Sequence, residues 1–138
     1  MDFSDVNFLA ILATGVINFV VGMAWYSPVL FGKIWQRESG LQDSDMKNAN
    51  MPLIFGTSFV LMTFMSLGLS LLLRTVDPEV LTWALGAMHG FMMGAFFCGT
   101  AIGINYLYQR KSFKLWLIDA SYILCYLTVA GALLAVWR

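Results

Sequence analysis

Few side chains in this sequence could do chemistry, and those few fall inside apolar runs. Asp119 is followed by Tyr122 and Tyr126, spacings that put a carboxylate and two phenols on one helix face. Asn18 stands between Gly15 and Gly22, and the steps of three and four set these residues on one face of another helix. His89, the single histidine of the chain, sits beside a row of glycines. Ionisable groups inside a membrane span are costly, and they commonly mark ion paths, proton relays or ligand contacts. A carboxylate, an amide and phenols around one space would suit a proton-coupled or cation pathway or a small polar ligand, with His89 extending it outward. The same groups have a plainer use. Asp119, protonated or hydrogen-bonded to Asn18, would tie two helices together, as polar residues between membrane helices do. That structural use is the expectation here, with the pathway as its alternative.

Other chemistries lack their residues. One histidine cannot hold a metal without further ligands, and Cys98 and Cys125 lie in different apolar runs with no ligand spacing to His89. There is no nucleotide loop and no Ser/His/Asp set. We expect no cofactor, no metal and no enzymatic activity. The formal net charge is zero, which leaves no basic footprint for nucleic acid.

The elements that must position these residues are four apolar runs. The 138 residues are 59% hydrophobic and 12% charged, about half the charge of a soluble domain. A helix needs roughly 20 residues to cross the hydrocarbon core, and the runs 7–26, 52–73, 81–106 and 113–137 suffice. Without water in the core, backbone groups must be satisfied within the segment, so helix is the default. The expected fold is all-α: one transmembrane domain, a four-helix antiparallel bundle with an interfacial segment after the first helix. Pro28 stops the first helix, Pro52 suits the first turn of the second, Asp77-Pro78-Glu79 reads as the start of the third, and Ser112 can cap the fourth. With a 1.5 Å rise per residue, Asn18 lies ~12 Å from Tyr26 and Asp119 ~9 Å from Phe113, nearly matched depths. His89 falls roughly 10 Å further out, so a direct pair with Asp119 would need a tilt.

Between the first two runs, Trp25, Tyr26, Pro28, Phe31, Gly32, Lys33 and Trp35 crowd into eleven residues. We read this stretch as an anchor at the membrane surface, with Trp25, Tyr26 and Trp35 at headgroup level, followed by a solvated loop from Gln36 to Asn50. Lys33, Arg37 and Lys47 in that loop and Arg110, Lys111 and Lys114 in the third loop lie on one side, with only Arg74 and Arg138 on the other. The excess of Lys and Arg puts the basic loops in the cytoplasm and both termini outside. Asp2 and Asp5 agree with this, and with no basic residue before the first run the segment is expected to be kept rather than cleaved as a signal. Gly86, Gly90 and Gly94, continued by Gly99 and Gly103, let a helix backbone approach another closely. We expect a homo-oligomer, most simply a dimer, joined partly through that glycine face.

Trp25-Tyr26-Ser27-Pro28, then Phe31-Gly32 and Trp35, resembles the W-Y-S-P-x-x-F-G-x-x-W signature of the family called domain of unknown function 1761. The resemblance implies a small four-helix membrane protein, as in bacteria, and no established activity. Trp116 to Tyr122 resembles the family's polar position in the last helix, where asparagine is more usual and Asp119 is a departure. The expected function is therefore an accessory or scaffold protein of the bacterial inner membrane, with the lipid bilayer and its own copies as partners. The alternative is a small oligomeric transporter or channel, with an ion or small molecule as ligand near Asp119.

Overall fold

The computed structural model describes residues 6–138; Asp2 and Asp5 lie outside the described residues. These residues are all-α, with no strand among them. Helix α1 spans Phe8–Trp25, with the Asn7 side chain accepting from the Ala10 amide at 3.0 Å. Helices α2 (Gly32–Ser39) and α3 (Asp43–Asn48) follow, then α4 (Met51–Leu73), capped by Asn50 with Pro52 in its first turn. The third long helix, Trp83–Tyr108, is α5 (Trp83–Met93), a π-helical turn (Gly94–Gly99) and α6 (Thr100–Tyr108). Ser112 caps α7 (Phe113–Val136), accepting from the Leu115 amide at 3.2 Å. The four long helices are each long and apolar enough to cross a membrane.

Two boundaries differ from the sequence reading. Asp77-Pro78-Glu79 forms a turn, in which the Asp77 carboxylate accepts from the Glu79 amide at 2.9 Å, and Thr82 is the true cap of α5. The stretch read as solvated loop holds α3 and the second half of α2. The Gln42–Asp45 capping box starts α3, and Gly40, in the left-handed region at φ 76°, ends α2.

The core gathers on α7, which packs against α1, α4, α5 and α2. Ile11 of α1, Leu69 and Leu73 of α4 and Tyr126, Leu127, Ala130 and Leu134 of α7 are buried together. Between the third long helix and α7, backbone meets backbone. A methyl group at Gly86 would collide with the Gly131 carbonyl, one at Gly90 with the Leu127 carbonyl, and one at Gly94 would come within 2.9 Å of the Leu124 Cα. The glycine row is therefore filled from within the chain, which corrects the expectation that it serves as a dimer face. The row steps by four from Gly86 to Gly94, by five to Gly99, then by four to Gly103. The step of five coincides with the π turn, whose hydrogen bonds run i to i+5. Trp116 lies over its end. The indole donates to the Gly99 carbonyl at 2.8 Å, and a methyl group at Gly103 would come within 2.9 Å of the indole nitrogen.

Gly90→Ala should cost about 1–3 kcal/mol by forcing two backbones apart. Gly68, beside open space on α4, should lose nothing on Gly68→Ala and gain up to about 1 kcal/mol of helix preference. Equilibrium unfolding in mixed micelles measures both, and equal effects at the two sites would contradict this packing.

Candidate functional site

The polar side chains of the interior form three layers along one face of α7. The innermost is set by Tyr126, whose hydroxyl donates to the Met62 carbonyl at 3.0 Å and bonds the Ser66 hydroxyl. Thr14 of α1 adds a hydroxyl 2.7 Å from that of Ser66. One turn back, Tyr122 donates to the Asn18 side-chain oxygen at 2.6 Å, while the Asn18 amide donates to the Met62 sulfur. Gly22 makes room for this phenol, since a methyl group there would meet the Tyr122 hydroxyl at 2.9 Å. The third layer is Asp119. Tyr26 donates to one carboxylate oxygen at 2.8 Å and Tyr106 to the other at 2.7 Å.

Asp119 therefore fastens the ends of three long helices. Tyr26 is the C-cap of α1, and Tyr106 lies in the last turn of α6. That turn ends sharply because Arg110 takes a left-handed conformation, φ 55°, and the Lys111 amide returns to the Tyr106 carbonyl at 2.9 Å.

The aromatic stretch after α1 turns out to belong to this site. The Trp25 indole donates to the Ile118 carbonyl of α7 at 3.1 Å, and its ring stands 4.8 Å from Phe31. Tyr26 meets Trp35 edge-on at 5.6 Å and Tyr122 at 5.2 Å. Pro28 opens a tight turn in which the Gly32 amide returns to the Ser27 carbonyl at 2.9 Å. A side chain at Gly32 would run into the Tyr26 and Ser27 carbonyls. The aromatic residues expected at headgroup level are thus half-buried against α7. The residues turned outward are Pro28, Val29, Leu30, Lys33 and Ile34.

Two further expectations need correcting. Asn18 and Asp119 are not hydrogen-bonded to each other; the rings of Tyr122 and Tyr26 stand between them, because Tyr26 continues the Gly22 face and reaches the carboxylate first. His89 joins neither: its Nδ1 bonds the Leu85 carbonyl of its own helix at 2.8 Å. Sequence reasoning missed Tyr106, Ser66, Thr14 and Met62, and assigned Tyr26 to the headgroup-level anchor without joining it to Asp119. The signal for Tyr26 and Thr14 was present, since Thr14, Asn18, Gly22 and Tyr26 repeat every four residues.

Among the described residues, no buried side-chain nitrogen or oxygen lacks a partner, and no group of three His, Cys, Asp or Glu could hold a metal ion. A cavity of about 200 Å³ lies elsewhere, between α1 and α4, lined by Phe8, Ile11, Phe59, Phe64 and other largely apolar residues. What the layers can do is hold helices in register. Asp119, half-buried, is the one acid within the four long helices.

Residues 9–135 match the model of a family described as Protein of unknown function (DUF1761). No curated protein and no solved structure matches the chain.

Tyr122→Phe leaves the buried Asn18 oxygen without its donor and should cost about 1 kcal/mol, the scale of hydrogen bonds between membrane helices. A double-mutant cycle with Asn18→Ala should be non-additive. Additive losses would mean that the two side chains do not support each other.

Proposed function

The chain belongs to the DUF1761 family, proteins of unknown function, and we propose that it is a non-catalytic accessory or scaffold protein of the bacterial inner membrane, working as a homo-oligomer. In this reading the four long helices form an antiparallel bundle with both termini outside and the basic loops in the cytoplasm, as the Lys and Arg distribution favours. One observation carries the proposal: the polar side chains of the interior are matched to one another. Thr14, Asn18, Ser66 and Tyr126 are buried and hydrogen-bonded across helices. A conducting path would need such groups to face open space, whereas here they lie under close packing. The glycine row is already filled, so the oligomer joins through other faces. The outer side of the third long helix, with Phe91, Met92, Phe96 and Phe97 exposed, is one such face.

The second reading, a small oligomeric transporter or channel, draws on a single fact. Asp119 is the only acid in the four long helices, and it is not fully buried. Water access separates the two. Asp119→Cys, in a chain also carrying Cys98→Ser and Cys125→Ser, should resist a soluble thiol reagent if the site is a fastening. Rapid labelling would favour the pathway. Crosslinking in native membranes should yield a dimer or larger species, and monomer alone would remove the oligomer.

A further inference from the structure

The face of α2 turned away from the protein has its own pattern. Phe31 and Trp35 point inward to Trp25 and Tyr26, and Glu38 faces the start of α7, where the Ser112 hydroxyl, ahead of the Lys114 and Arg37 charges, holds its carboxyl below the ordinary value. The opposite side carries Leu30, Lys33, Ile34 and Arg37, at helical steps of three and four, all exposed. Val29, at the turn before it, is 90% exposed, Leu30 50% and Ile34 39%. Arg37 pairs with Glu38 only at 3.5 Å, with 69% of its side chain exposed, a contact of little strength. This face thus offers aliphatic bulk and two cations one turn apart, with no acid of its own. Beside it lie Lys111, which donates to the Ser39 carbonyl at 3.4 Å, and Lys114.

We propose that this face of α2 binds the headgroups of anionic phospholipids. Val29, Leu30 and Ile34 enter the boundary between headgroups and acyl chains, and Lys33 and Arg37 meet the phosphates. The placement supports a lipid over a soluble partner, because α2 follows directly on the end of α1 and is held against the first turns of α7. It therefore lies at the level where a spanning helix leaves the hydrocarbon. Aliphatic residues exposed at that level are satisfied by acyl chains, and each nearby cation adds attraction to an anionic leaflet. The inference rests on the reading that the long helices span a membrane with this end in the cytoplasm.

The test uses the full chain reconstituted in phosphatidylcholine vesicles, with spin-labelled phosphatidylglycerol or phosphatidylcholine as reporter. The immobilised fraction should show a preference for phosphatidylglycerol on the order of tenfold, as two cations at a membrane surface imply. The double variant Lys33→Gln/Arg37→Gln should bring it to within about twofold of parity. Lys47→Gln, which removes an exposed charge from α3, should leave it unchanged. Equal association of both lipids with the unaltered chain, or equal loss with Lys47→Gln, would overturn the proposal. So would a change in crosslinked oligomer size with the preference intact, which would make the face a contact between copies. Alkaline extraction of the same vesicles keeps the two readings apart: release of the chain removes the membrane reading, and retention without a preference removes only the lipid site.

Discussion

A hydroxyl, amide or carboxylate inside a bilayer has no water to turn to, and its partner must come from the protein. The architecture follows from meeting that condition on a single helix. Asp119, Tyr122 and Tyr126 present one face of α7, and α1, α4 and α6 each bring side chains to it, α4 through Ser66. The layers fix depth as well as contact. A slide of α1 along α7 by one turn would offer Asn18 to the wrong phenol and leave Tyr26 without its carboxylate. The beginning of α1, where Ala10 and Ile11 meet Leu69, Leu73 and Leu134, has no such specificity, since aliphatic side chains accept many registers.

The other side of α7 solves a different problem. Against the third long helix it offers the carbonyls of Leu127 and Gly131, and glycines let the two backbones touch. Dispersion replaces hydrogen bonding there, and it falls off steeply with distance. With one face given to polar matching and another to close approach, α7 is the most enclosed of the four long helices. The Trp-Tyr-Ser-Pro turn then closes the end of the bundle: the Trp25 indole is fixed to a carbonyl of α7, and the Tyr26 hydroxyl to its carboxylate.

Much of this was legible before any coordinates. Four runs of roughly twenty mostly apolar residues announce helices long enough to cross a membrane, and Ser112, Pro52 and Pro28 mark helix ends by local chemistry alone. The face shared by Asp119, Tyr122 and Tyr126 also follows from spacing. Which residues answer that face does not, because a partner on another helix depends on tilt and rotation. Tyr26 shows the difficulty: a tyrosine at the end of an apolar run has the composition of a headgroup residue, and only the turn imposed by Pro28 and Gly32 folds the stretch back on α7. The glycine row misled in the opposite direction. Its spacing announced a close contact truthfully, but spacing carries no address, and the partner was α7 of the same chain.

The π turn at Gly94–Gly99 has a consequence for how this chain can change over evolutionary time. An α-helix advances 100° per residue, so one residue added to or removed from a span rotates all that follows relative to its neighbours. The third long helix already contains such an extra residue, absorbed locally by the wider turn, and only with it do Gly86 at one end and Tyr106 at the other both face α7. The span therefore behaves as two rulers joined at a vernier. Loops such as the one between α2 and α3 can gain or lose residues freely. In the third helix, a change of length by one anywhere outside the glycine-flanked turn would set its two halves out of phase.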